Sequence, residues 1–232
     1  MNVVYKNIFY FPNLVDVRTA AKCGSANFKE LYRHGKLHWK KEGQENNLPL
    51  QFHGPLHVRL MGNVVDVPFR KGSTRFAIKR DPVKRFLSAV DYIEQSMLEF
   101  RPNTRDIKNP DMQIRKNKHL KNPKHYPIKG FRSLEDAITA MEANRLYDVH
   151  FFSQTSYYGN INQYDYVYDL VDFSKAMSHI TSLIGDENLP NRDVWSHSHK
   201  NKSKKKLSLE LTDELAERIK TLYQIDYDNG WC

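Results

Sequence analysis

Thr74-Arg75-Phe76-Ala77-Ile78-Lys79-Arg80-Asp81-Pro82-Val83-Lys84-Arg85-Phe86-Leu87-Ser88-Ala89-Val90 changes its periodicity half-way along. Residues 74–79 have the length and apolar content of a short buried strand. Val83, Phe86, Leu87, Val90 and Ile93 instead fall on one helical face. The Asp81-Pro82 step suits a helix start, because proline fits the first turn, where no amide donor is needed. Arg80 is thus expected at the carboxyl end of a strand, the edge at which open α/β sheets bind ligands. One continuous helix would hold Arg80 and Ser88 roughly 12 Å apart, too far to share a small anion. A strand that turns back into a helix is expected to bring the guanidinium and the hydroxyl together.

A second stretch has the same logic. Leu14-Val15-Asp16-Val17-Arg18-Thr19 reads as a strand, Ala20 to Asn27 as a loop of small and polar residues, and Phe28-Lys29-Glu30-Leu31-Tyr32 as a helix. Strand, small-residue loop, helix is the geometry of a phosphate cradle, with loop amides and a helix dipole facing the anion. It is not a Walker A loop: GxxxxGK[ST] is absent, and Lys22 precedes Gly24. It is not the Cys-x5-Arg loop of tyrosine phosphatases either, because the sixth residue after Cys23 is Lys29 and no histidine precedes the cysteine. Cys23 reads as a small loop residue.

Together these motifs resemble the sulfotransferases, especially the membrane-bound carbohydrate group, which take a sulfuryl group from 3′-phosphoadenosine-5′-phosphosulfate (PAPS). Arg80-Asp81-Pro82 with Ser88 is similar to that family's 3′-phosphate motif. Lys22-Cys23-Gly24-Ser25-Ala26-Asn27-Phe28 is similar to its 5′-phosphosulfate loop, with Ala21 where the family usually has proline. The resemblance implies that Lys22 to Phe28, Arg80 and Ser88 bind the donor, and that Lys22 acts in catalysis. It also implies a general base near His57-Val58, 23 residues before Arg80, with His53 as the competing histidine. A base titrating near neutrality suits removal of a hydroxyl proton.

Bulk properties bound this reading. The chain has 232 residues and a formal charge of +9, a length that suits one α/β domain. No apolar run approaches the ~20 residues of a membrane helix, and the start lacks a signal pattern. The two cysteines, Cys23 and Cys232, make no disulfide framework. A soluble, cytoplasmic protein is the expectation, although the carbohydrate sulfotransferases it resembles usually carry a membrane anchor. The cysteine and histidine spacings suggest no metal site. Basic residues crowd into 101–130, expected as an irregular surface excursion, and into 197–206. The second run precedes a closing helix, as in the sulfotransferases, and the resemblance nominates Lys202 and Ser203 as donor contacts. A solvated basic loop is the plain alternative.

Between these runs the signals are structural. Ser133 caps a helix with Leu134, Ile138, Met141 and Leu146 as its apolar stripe. His150-Phe151-Phe152-Ser153-Gln154 resembles a family segment and precedes a strand at Tyr164–Leu170; its role is open between donor, acceptor and fold. Tyr157, Tyr158 and Tyr164 suit an aromatic core edge better than stacking on a nucleotide. Phe173 to Ile184 reads as a helix stopped by Gly185. A last helix is expected from about Thr212 to Ile225, with Leu215, Ile219 and Leu222 inward, and Tyr223-Gln224-Ile225-Asp226 fits a closing Tyr-x-x-Asp pattern of structural character.

The expectation is therefore one three-layer α/β domain across 1–232, with a mainly parallel sheet and a P-loop NTPase-like sulfotransferase fold. The activity that the resemblance implies is sulfuryl transfer from PAPS to a hydroxyl, with a carbohydrate as the expected acceptor and 3′-phosphoadenosine 5′-phosphate (PAP) as product. No metal, nucleic acid or membrane partner is expected, and oligomeric state is open. Two rivals stand beside it. A P-loop kinase or NTPase would share the cradle but lacks the Walker lysine. A basic nucleic-acid-binding module would use the lysine runs and show steep salt dependence.

Overall fold

In the computed structural model, which describes residues 7–32, 69–98, 131, 133–143, 149–189 and 210–232, the described strands form one four-stranded sheet. Its order is β1 (Asn7–Phe11), β2 (Val15–Thr19), β3 (Thr74–Lys79) and β4 (Tyr166–Asp169). β1 runs antiparallel to β2, whereas β2, β3 and β4 are parallel, in a register that aligns Phe9, Val17, Phe76 and Tyr166. The expected α/β class with a mostly parallel sheet is present. The chain divides into two compact units, one of Met1–Asp81, Ser153–Lys202 and Ile225–Cys232, the other of Pro82–Phe152 and Ser203–Gln224.

The first unit holds the sheet, a helix at 25–32 (α1), the short helix Gln154–Tyr158 (α4) and the helix Phe173–Ile184 (α5). Side chains alternate between faces along a strand. Phe9, Phe11, Val15, Val17, Phe76 and Ile78 accordingly share one core with Phe28 and Leu31 of α1 and with Ala176, Ile180 and Ile184 of α5. The other side of β2 carries Asp16 and Arg18, both buried. A buried charge is tolerated only when paired and hydrogen-bonded. Asp16 accepts from Arg70 Nε at 2.6 Å and from the Arg70 backbone N–H at 2.9 Å. Arg70 Nη2 donates in turn to the carbonyls of Phe11 and Val15, and the Arg18 guanidinium lies 3.9 Å over the Phe69 ring. Gly185 ends α5 at φ +85°, as the sequence implies.

The second unit is built on three helices: α2 (Pro82–Leu98), α3 (Leu134–Glu142) and α6 (Asp213–Leu222). α2 begins at the proline, and Val83, Phe86, Ala89, Val90 and Ile93 are buried. So is Arg85, which is not among the apolar residues of the predicted face. Its guanidinium donates to the carbonyls of His150 and Phe152 and sits 5.0 Å from the Tyr223 ring. Ser133 Oγ accepts from the Asp136 N–H at 3.1 Å, the expected cap, and Leu134 and Ile138 are buried. Leu146 of the expected stripe lies outside the described residues.

The closing helix is broken rather than continuous. α6 stops at Leu222, Tyr223 leaves the helical conformation at φ −111° and ψ 22°, and a short helix, α7 (Gln224–Asp228), follows. Tyr223 turns its hydroxyl to the Phe151 carbonyl at 2.6 Å. Asp226 turns inward to the start of α4, accepting from the Gln154 and Thr155 amides.

Candidate functional site

The carboxyl ends of β2 and β3 are tied by one hydroxyl. Tyr158 Oη accepts the Ala20 N–H at 2.5 Å and donates to the Ile78 carbonyl, and Tyr158 is fully buried. Its ring packs against Trp231, centroids 4.5 Å apart, while Tyr164 meets the same Trp231 edge-on at 5.5 Å. Tyr157, Tyr158 and Tyr164 are thus core residues, their faces spent on neighbouring side chains.

The chain leaves β2 through a tight turn. The Cys23 N–H returns to the Ala20 carbonyl at 3.2 Å, Lys22 stands at φ +68° and Gly24 at φ +77°. Lys22 holds a left-handed conformation that side chains with a Cβ rarely adopt. Gly24 has no room for a Cβ, which would lie 2.6 Å from Phe173 Cε2. α1 begins immediately after, at Ser25. The first amides of a helix have no carbonyl behind them and carry the positive end of its dipole.

Arg80 ends β3 beside this turn, and its Nη1 donates to the Lys22 carbonyl at 3.2 Å. Two motifs 58 residues apart therefore meet at the turn that precedes α1. The Gln154 side-chain amide pairs with both backbone groups of Arg80. Oε1 accepts the Arg80 N–H at 2.9 Å, and Nε2 donates to the Arg80 carbonyl at 2.7 Å.

A sequence model of the sulfotransferase family matches residues 20–229, from the first loop residue to beyond Asp226. The chain belongs to the sulfotransferase family. No curated protein and no solved structure matches the chain. Family membership makes the chain a transferase of sulfuryl groups, and the loop and Arg80 both fall inside the matched region.

Of the residues singled out from sequence, Lys22, Cys23, Gly24, Ser25, Ala26, Asn27, Phe28 and Arg80 all lie in the first unit of this sulfotransferase. Cys23 and Phe28 are fully buried, and the Cys23 N–H is already bonded to the Ala20 carbonyl. Ser88 is half-buried on α2, in the second unit. His57, His53, Lys202, Ser203 and the excursion at 101–130 lie outside the described residues. His150 gives its carbonyl to Arg85, and its ring lies 4.6 Å from that of Tyr92. Sequence reading marked Gln154 without a role; its contacts to Arg80 and Trp231 depend on segments 74 and 77 residues away, which no local pattern reveals. Among the described residues no helix is long and apolar enough to cross a membrane.

Proposed function

We propose that this sulfotransferase uses PAPS as donor and a carbohydrate hydroxyl as acceptor. The observation that carries the donor reading is the bond from Arg80 to the Lys22 carbonyl. It brings the Arg80 corner to the Lys22 loop, which supports reading the two as one site for a ligand with two separated anionic groups. In-line displacement at sulfur leaves negative charge on the bridging oxygen of the departing phosphate. Lys22 and the amides at the start of α1 would stabilise that charge, with the Asn27 N–H excepted because it is bonded to the Gly24 carbonyl; such preorganised electrostatics dominates group transfer. Arg80 would hold the 3′-phosphate and so fix the donor's alignment. By the family resemblance, Ser88, Lys202 and Ser203 add contacts to that phosphate and His57 takes the acceptor's proton. The carbohydrate class rests on the same resemblance, and the net charge of +9 suits an acidic glycan.

Titration calorimetry with PAP tests the donor reading. A hydrogen-bonded contact to a charged group contributes about 1.5–3 kcal/mol, so Arg80→Ala should weaken PAP binding by roughly 10- to 150-fold. Lys22→Ala should lose turnover and keep most of the PAP affinity. Arg80→Ala binding PAP like the parent would refute the assignment.

A further inference from the structure

Gln154 is buried at 0% exposure, yet every polar atom of its amide has a partner. Oε1 faces the Arg80 N–H at 2.9 Å and Cys23 Sγ at 3.5 Å. Nε2 faces the Arg80 carbonyl at 2.7 Å and the Trp231 carbonyl at 2.8 Å. A primary amide has one acceptor and two donor hydrogens, and here both hydrogens and the oxygen are engaged. The Gln154 backbone is held as well. Asp226, also fully buried, accepts the Gln154 N–H on Oδ2 at 2.8 Å, and its Oδ1 takes the Thr155 N–H at 2.7 Å and the Thr155 hydroxyl at 2.9 Å.

This is more than core polarity being satisfied. Pairing one amide with both the N–H and the C=O of Arg80 ties together the two peptide units that flank its Cα, and Arg80 is the residue whose side chain leaves for the Lys22 carbonyl. The same Oε1 touches Cys23, the residue after Lys22. We propose that Gln154 is the positioning residue that holds the Arg80 peptide and the Lys22-Cys23 turn in mutual register for the donor's two anionic groups. The proposal rests on the donor reading above and adds to it what aligns the two halves.

The decisive substitution is Gln154→Glu, nearly isosteric. Its carboxyl keeps an oxygen toward the Arg80 N–H but loses both Nε2 donors, setting an acceptor against two carbonyl oxygens. PAP calorimetry on the purified full chain yields Kd and stoichiometry separately. Register loss raises Kd at least tenfold with the stoichiometry preserved. Thr155→Val removes a hydroxyl from Asp226 without touching the Gln154 amide, and should lower the unfolding temperature while Kd stays at the parent's value. If Gln154→Glu lowers stoichiometry or melting temperature but leaves Kd unchanged, Gln154 is merely structural and the proposal fails while the donor reading stands. If the parent binds no PAP, the donor reading fails and takes the proposal with it. Should Gln154→Glu not fold, Gln154→Asn, one methylene too short to reach the Arg80 N–H and C=O together, decides by the same Kd.

Discussion

Gly24→Ala tests the loop where geometry is most restrictive. Gly24 stands at φ +77°, and an added Cβ would lie 2.6 Å from Phe173 Cε2, 3.1 Å from its Cδ2 and 3.3 Å from Leu170 Cδ1. A left-handed conformation costs a residue with a Cβ about 1–2 kcal/mol. Forcing a methyl into a packed site costs about 1–3 kcal/mol more. The sum is about 2–5 kcal/mol, against a total stability of about 5–15 kcal/mol for a typical protein. For a chain of this size each kcal/mol lowers the melting temperature by about 2–4 °C, giving a fall of about 4–20 °C. Urea titration should show a lower midpoint at unchanged slope. The two contributions separate in a double-mutant cycle with Phe173→Ala. Removing the ring removes the two closest contacts, so Gly24→Ala should cost only about 1–2 kcal/mol in that background. A Gly24→Ala midpoint equal to the parent's would refute the reasoning outright, and an equal cost in both backgrounds would refute its steric half.

Other outcomes follow from single bonds. Tyr158→Phe leaves the buried Ala20 N–H without its acceptor; a stranded buried group costs about 1–3 kcal/mol, read as a lower midpoint in chemical denaturation. Arg218 grips Glu142 through two bonds of 2.9 and 2.7 Å, which hold the Glu142 carboxyl below its ordinary range. A folded-state value lowered in this way adds stability above the unfolded value, about 4.3, and loses it as pH falls through the lowered one. Arg218→Met should therefore melt below the parent at pH 7, with the gap closing toward pH 3 and narrowing in high salt.

Local signals were legible because their physics is local. Asp81-Pro82 starts a helix through the missing amide hydrogen of proline, Ser133 caps through an oxygen three residues from its partner, and Gly185 stops α5 through its own φ. The Lys22 loop was legible for the same reason, since a strand, small residues and a helix occur in unbroken order. Arg85 was not, because charge argues for solvent until the carbonyls of His150 and Phe152 are known to await it. Asp16 likewise reads as an outward residue in a strand until Arg70 covers it. The break at Tyr223 escaped because α6 and α7 together keep helical spacing, and only the separate partners of Tyr223 and Asp226 divide them. Partner choice across long separations is tertiary information, and periodicity carries none of it.

The brace on Arg80 has a consequence for how the protein is made. Arg80 precedes Gln154 by 74 residues, and Trp231 follows Gln154 by 77. Contacts so distant in sequence close late, because loop entropy must be overcome before they contribute anything. During synthesis the Lys22 turn and the Arg80 corner leave the ribosome long before the segment containing Asp226 and Trp231. A nascent chain can pair β2 with β3 early, yet the Arg80 backbone stays unbraced until the segment containing Asp226 and Trp231 docks behind Gln154. Donor affinity in refolding should consequently mature in the slowest phase, behind the sheet.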